Sequence, residues 1–177
     1  FEDVVDEEEN DLDLMVEEQE TVLLPEDLQI TIASPLNGAC IPLGEVNDAT
    51  FAQEILGKGI AVVPETGVVY APFDGKVEAM FDTGHAVGLV SEDGVELLIH
   101  VGIDTVNLKG EYFHPQKKAG DVIQKGDVLI EFERQEILDA GYEITTPVIV
   151  ANSEKYAKIE AVSGEHIAAM KPLLQIR

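Results

Sequence analysis

His85 and His100 are the residues of this chain whose type and spacing point most directly to chemistry. They close the stretch His85-Ala-Val-Gly-Leu-Val90, Ser91-Glu-Asp-Gly94, Val95-Glu-Leu-Leu-Ile-His100. It reads as two strands around a four-residue polar loop ending in Gly, a common hairpin form. Pairing that begins at Val90 with Val95 makes His85 and His100 direct cross-strand partners, with Cβ atoms roughly 4.5–5.5 Å apart on one sheet face. The period of two adds Val87, Leu89, Glu96 and Leu98 to that face. A slip of one residue would put the imidazoles on opposite faces, so the expectation depends on the register. Two adjacent imidazoles resist double protonation, so at least one stays neutral near pH 7 and offers a ring nitrogen.

Three chemistries remain open on these residues: a two-histidine metal site lacking its other ligands, an acid–base pair, or a histidine nucleophile whose neighbour holds the incoming group. Nearby donors favour the third. Thr83 can orient the His85 ring through its hydroxyl, and Asp104 and Thr105 lie at the end of the His100 strand. A phosphoryl group on His100 would meet His85, a cation when protonated, as its electrostatic clamp.

The elements that must position these residues are mainly strands. From Ile30 onward, short apolar or alternating runs are separated by Gly, Pro, Asp and Asn, the all-β pattern. Expected strands are Ile30 to Ala33, Gly59 to Val63, Val68 to Tyr70, Lys76 to Phe81, His85 to Val90, Val95 to Val101, Val128 to Glu133, Val148 to Val150 and Leu173 to Ile176. Asp74-Gly75 reads as a hairpin turn. One short helix is expected, capped by Asp48, with Phe51 and Ile55 on one face and Gly57 ending it. A weak internal echo relates the run from Ala119 to Ile130 to the run from Ser163 to Leu174, offset by 44 residues. It supports a sandwich of repeated hairpin units, and it places His166 where Val122 falls, as a surface or packing residue.

Composition narrows the function. The chain has 177 residues and a formal charge of −24 from 35 acidic and 11 basic side chains. Such a charge disfavours nucleic acid and anionic lipid as direct partners. No apolar run approaches the roughly 20 residues of a membrane span, so a soluble protein without direct membrane insertion is expected. The one cysteine, Cys40, allows no internal disulfide and suits a reducing, cytoplasmic setting. Residues 1–28 hold 13 of the acids and none of the bases, and are expected to be an acidic flexible linker or tail. The body, 29–177, is expected to be one domain. Because the chain starts at Phe1 rather than Met, it reads as a piece of a longer polypeptide joined through that tail.

The run Val95-Glu-Leu-Leu-Ile-His-Val-Gly-Ile-Asp-Thr-Val-Asn-Leu-Lys-Gly110 closely resembles the glucose-family IIA domain of the bacterial sugar phosphotransferase system. Supporting pieces are Ala71-Pro-Phe-Asp-Gly-Lys-Val77, Thr83-Gly-His85, Val128-Leu-Ile-Glu-Phe132 and Thr146-Pro-Val-Ile-Val150. The resemblance implies an antiparallel β sandwich or barrel of the duplicated hybrid motif type with a few short helices, and no cofactor. It implies a phosphoryl group accepted from the phosphocarrier protein HPr on His100 and passed to the cysteine of a IIB domain. His85 then corresponds to the second histidine, needed for onward transfer, and Thr83 to the residue that hydrogen-bonds it. Partner docking falls to Phe51, Ile55, Leu56, Phe81 and Leu98, with Asp48 and Asp104 placed to meet basic residues. Leu98 and Val87 stand where some members carry Phe. The resemblance also implies a IIB domain and its membrane permease domain as partners, expected in the same polypeptide, and hence tethering to the inner face of the membrane. Sugar specificity lies in the permease domain.

Rival readings are weaker. A zinc endopeptidase of the lysostaphin type needs a third protein ligand and an open position, whereas Gly102 stands two beyond His100 and Leu89 four beyond His85. Two histidines can still hold zinc if a partner lends a carboxylate, as some IIA domains do. A lipoyl- or biotinyl-type carrier lacks its lysine context at Asp74-Gly75-Lys76. A non-catalytic regulator using the apolar rim only for binding stays open. Cys40 reads as a small buried apolar residue, and His114, before Pro115, as an exposed loop residue.

Overall fold

Turn residues cut the apolar runs too short for long helices, and the runs pair instead. The computed structural model describes residues 29–161 and 164–177; the expected tail, 1–28, lies outside the described residues. In chain order the strands are β1 (Ile30–Ala33), β2 (Gly38–Pro42), β3 (Lys58–Pro64), β4 (Val68–Tyr70), β5 (Gly75–Met80), β6 (Ala86–Ser91) and β7 (Glu96–His100), then β8 (Phe113–Pro115), β9 (Val122–Ile123), β10 (Val128–Phe132), β11 (Thr146–Val150), β12 (Ile159–Ala161), β13 (His166–Ile167) and β14 (Pro172–Ile176). The α-helices are short, α1 (Ala49–Ala52) and α2 (Arg134–Asp139). The fold is an antiparallel β sandwich, as expected.

An eight-stranded sheet runs β13-β2-β3-β11-β7-β6-β5-β9, and two three-stranded sheets run β1-β14-β12 and β4-β10-β8. These orders describe one motif used twice. Matching β1 with β4, β2 with β5, β3 with β6, β11 with β7, β12 with β8, β13 with β9 and β14 with β10 turns one half into the other. The pairing of Ile99 with Val148 at the β7/β11 junction lies on the pseudo-twofold axis. One half is continuous, from β4 to β10. The other is split around it. The 44-residue echo is the pair β9 and β10 against β13 and β14, whose bounds differ by that offset throughout.

Two cores flank the large sheet. On one face Ile60, Val62, Val87, Leu89, Leu97, Ile99, Val148 and Val150 join residues of the small sheets, such as Val69, Leu129, Ile130, Leu173 and Leu174, in one buried cluster. Each large aliphatic side chain buried there stabilises the fold by about 1.5–3 kcal/mol. On the other face Ala61 and Ile149 pack with Leu43, Val46, Phe51 and Ile103. The cover comes from the 15-residue connection between β2 and β3, whose counterpart between β5 and β6 has five residues. This makes β11 buried on both faces, which is why it reads as a continuous apolar run rather than an alternating one.

Three expectations about local structure need correction. The hairpin loop has three residues, not four: Ser91 N–H donates to the Val95 carbonyl, and Gly94, at φ 89°, makes the tight return. Val90 therefore faces Glu96, and His100 faces Ala86 rather than His85. Val87 and Leu89 consequently belong to the main core and not to the His100 face. Asp74-Gly75 joins two different sheets instead of closing a hairpin. A Cβ on Gly75 would lie 2.1 Å from the Val90 carbonyl oxygen, so the position needs glycine for close approach. Finally, α1 ends by Gln53, so Ile55 does not share its buried face: Phe51 is 4% exposed and Ile55 66%.

Candidate functional site

The shifted register should have separated the two histidines, yet their ring centroids are 4.9 Å apart, nearly perpendicular at 81°. His85 escapes the alternation because it precedes β6. The chain turns at Phe81 to Gly84, where Gly84 N–H donates to the Phe81 carbonyl and Gly84 has φ 71°. The His85 carbonyl still accepts from Val101 N–H at 2.7 Å. Its ring sits buried at the end of the sheet, against Phe81 at 5.4 Å and Phe113 at 6.4 Å. His100 is the last residue of β7 on the outer face, and Phe51 of α1 packs on it at 5.0 Å. The long β2–β3 connection of the split half thus covers a histidine supplied by the continuous half.

Hydrogen bonds fix both rings. Thr83 Oγ1 and His85 Nδ1 lie 2.5 Å apart. His100 Nδ1 is 2.8 Å from the Gly102 carbonyl oxygen. A carbonyl accepts only, so His100 carries its proton on Nδ1 and presents a bare lone pair at Nε2. Burial, and then the neighbouring His100, push the His85 pKa down to about 4. Burial also lowers that of His100, against the Gly102 hydrogen bond and the charges of Asp48 and Asp104, which raise it. Both imidazoles are therefore uncharged at neutral pH. The expected cationic clamp becomes a neutral hydrogen-bonding group in the resting site.

The other singled-out residues are placed as follows. Asp48 caps α1, accepting from Thr50 N–H at 2.9 Å. Asp104, exposed at φ 59°, opens the single turn Thr105–Leu108. Phe81 is 44% exposed beside His85. Leu98 shares the His100 face but is partly buried in the second core under Phe51. Ile55 and Leu56 are exposed and line a groove of about 400 Å³ with Ser153, Glu154 and Tyr156, a lining that includes neither imidazole. Sequence reasoning passed over Gly102, whose carbonyl orients His100, Phe113, which backs His85, and Val106, 50% exposed next to Asp104 and Thr105. Gly102 carried a legible signal, a glycine just past a chemically loaded strand end.

The remaining histidines and the cysteine lie away from the pair. His114 and His166 are exposed and face Glu133 and Glu65 at 3.0 and 2.8 Å. His114 is in β8, not a loop. Cys40 is half-buried in β2, and burial raises its thiol pKa. A cavity of about 540 Å³ beside Cys40, Leu43, Ile60 and Ile159 reaches neither His85 nor His100. The half-buried His100 and buried His85 have exposed apolar and acidic neighbours, Phe81, Val106 and Asp104, a surface suited to another macromolecule. Among the described residues no helix is long and apolar enough to cross a membrane.

Residues 30–156 match the family model described as phosphoenolpyruvate-dependent sugar phosphotransferase system, EIIA 1. The chain is 49% identical over 146 residues to the beta-glucoside-specific EIIBCA component of Dickeya chrysanthemi, covering 82% of this chain and 23% of that protein. It is 39% identical over 144 residues to the glucose-specific EIIA component of Oceanobacillus iheyensis, covering 81% of this chain and 87% of that one. The solved glucose permease IIA from Mycoplasma capricolum superposes with a TM-score of 0.79 at 28% identity, covering 86% of this chain and 99% of the other. The chain thus spans about a quarter of the length of the EIIBCA relative and nearly all of the free-standing one. A match of this extent, over both halves of the sandwich and the histidine pair, makes the chain a member of the type 1 EIIA family of the phosphoenolpyruvate-dependent sugar phosphotransferase system.

Proposed function

We propose that residues 29–177 form a phosphocarrier domain in which His100 Nε2 takes a phosphoryl group from HPr and gives it to a IIB cysteine. The observation that carries this reading is the bare Nε2 of a neutral, fixed, half-buried imidazole beside a second, buried imidazole, with Phe81 and Asp104 exposed next to them. The Nε2 lone pair attacks phosphorus, and the donor's N–P bond breaks with its electron pair returning to the donor nitrogen. As the new N–P bond forms, the ring gains positive charge. The Nδ1–H bond to Gly102 becomes charge-assisted, and Asp48 and Asp104 stabilise the same charge. In the second step the cysteine thiolate attacks phosphorus, and the pair of the breaking N–P bond returns to Nε2. The proton on Nδ1 stays in place throughout.

His85 acts on the transferred group. With the Thr83 hydroxyl donating to Nδ1, its proton sits on Nε2, and that N–H is the donor for a phosphoryl oxygen. The protein's work is positioning and charge stabilisation, as phosphoryl transfer requires. Phe81, Ile55 and Leu56, all exposed, supply the apolar docking surface, while the expected docking residues Phe51, buried, and Leu98, partly buried, support it from the second core; Asp48 and Asp104 meet basic residues of the partner. Donor and acceptor use one rim and compete for it. By analogy with the EIIBCA relatives, this domain works beside IIB and permease domains in one polypeptide, with 1–28 as the connection.

The test is incubation with enzyme I, HPr and labelled phosphoenolpyruvate. Wild type takes up label and His100→Ala takes up none. His85→Ala is labelled, and its onward transfer to IIB falls by about 10²–10³, the usual effect of losing one transition-state donor. Label that survives His100→Ala overturns the assignment. Absence of label on the wild type would favour the binding-only regulator. A zinc hydrolase needs three protein ligands, and among the described residues no three His, Cys, Asp or Glu side chains gather.

A further inference from the structure

The chain leaves the β-ladder at Val101, directly after His100, and has to bend sharply there. Gly102 takes φ 80°, Asp104 φ 59° and Lys109 φ 55°. Val101 N–H is used by the His85 carbonyl. The Val101 carbonyl is left without a ladder partner, and a buried carbonyl needs one. Thr105, which is fully buried, supplies it through its hydroxyl, which donates to Val101 O. The methyl of the same side chain closes the space beside Gly102: a Cβ placed there would lie 2.5 Å from Thr105 Cγ2. On the far side Ile103 N–H donates to the Glu143 carbonyl at 3.0 Å. The peptide that carries the Gly102 carbonyl is therefore held at its own N–H by the Glu143 carbonyl, and the peptide before it, Val101–Gly102, is held by Thr105.

We propose that Thr105 is a positioning residue for phosphoryl acceptance: by fixing the Val101–Gly102 peptide and closing the space beside Gly102 it keeps the Gly102 carbonyl on His100 Nδ1, and so keeps Nε2 free of a proton. The inference rests on the reading that His100 accepts the phosphoryl group. Its physical basis is tautomer control. A neutral imidazole has one proton for two nitrogens, and the partner of one nitrogen decides which carries it. Only the Nδ1–H tautomer has the lone pair on Nε2, the nitrogen that is not tied to the backbone. If the carbonyl turns away, the Nε2–H tautomer grows, and that form has no lone pair to offer at Nε2. One side chain thus ties together the His85 contact, through Val101, and the His100 contact, through Gly102.

Thr105→Val keeps the branched shape and removes the donor, whereas Thr105→Ser keeps the donor and removes the methyl. Nitrogen-15 spectra of the full chain with labelled histidine read the His100 tautomer directly. Wild type and Thr105→Ser should hold the proton on Nδ1. In Thr105→Val the ratio should move about tenfold towards Nε2–H, the scale of one hydrogen bond. The turnover number for phosphorylation by phospho-HPr should fall by about the same factor, with KM unchanged. A folded Thr105→Val with the wild-type tautomer ratio and turnover number overturns the proposal. So does a wild-type spectrum with the proton on Nε2, which needs no variant to fold. The tautomer ratio is measured without a phosphate donor, so it judges Thr105 separately from the phosphocarrier reading, which falls if wild type takes up no label.

Discussion

His85 is almost fully buried, with 2% exposure, and its pKa is pushed down to about 4 by burial first and by His100 second. The unfolded chain returns it to about 6.5. Between those values the unfolded state binds the extra proton, so stability rises with pH in this window. The contribution of the neutral ring is fully present above about pH 6.5 and is lost as pH falls towards 4, on the order of 3 kcal/mol in all. Urea denaturation of wild type and His85→Gln at several pH values should show this loss in wild type, over and above the carboxylate titrations common to both. Parallel pH profiles for the two proteins would contradict it. On the proposed reading, a phosphoryl dianion on His100 would favour protonated His85 and so reverse these electrostatics.

At the scale of elements, the β2–β3 connection matters most, because it covers Ile149 and Ala61 while placing Phe51 on His100. Phe51→Ala should cost about 3 kcal/mol in chemical denaturation, the low end for a buried Phe truncation, as the second core loses its largest member. It should also raise the His100 pKa by relieving burial, measurable by proton NMR. Ile55→Ser, at an exposed position, should leave stability within about 0.5 kcal/mol and weaken partner binding in calorimetry. The strands that sequence reading recovered are those with several alternating or continuous apolar residues. β8, β9, β12 and β13 have two or three residues each and are defined by their pairing partners, and β2, Gly-Ala-Cys-Ile-Pro, begins with glycine and ends with proline, so no local period announces them. Helix α2 was missed because Ile137 alone anchors it as a fully buried residue. The hairpin register was misread because Leu97-Leu98-Ile99 is apolar on both faces, since both faces are covered. Alternation then cannot choose between the two pairings, and Ser91 looked like loop. The proximity of the imidazoles was legible for a partly wrong reason: it comes from the turn at 81–84, outside the ladder.

For the whole molecule, the formal charge is −24, of which residues 1–28 supply −13. A basic partner is attracted over distances that salt shortens, with a screening length of about 8 Å at 0.15 M. A chain starting at residue 29 should keep its melting temperature within about 2 °C if 29–177 is the folding unit, a ΔΔG below about 1 kcal/mol. Its association rate with HPr in stopped flow should depend less steeply on salt than that of the full chain. A large drop in melting temperature would make the acidic segment part of the fold. The nesting of one half inside the other also bears on how the molecule is made. A ribosome releases β4 to β10 in one piece, so the unit bearing both histidines can form while β11 is still unmade. Until then β7 presents an unpaired edge in the middle of what will be the large sheet, and exposed edges of this kind recruit other chains. The stretch from β11 to β14 closes that edge and pairs with β1, so assembly ends with the longest loop closure among the described strands, Ile30 with Ile176.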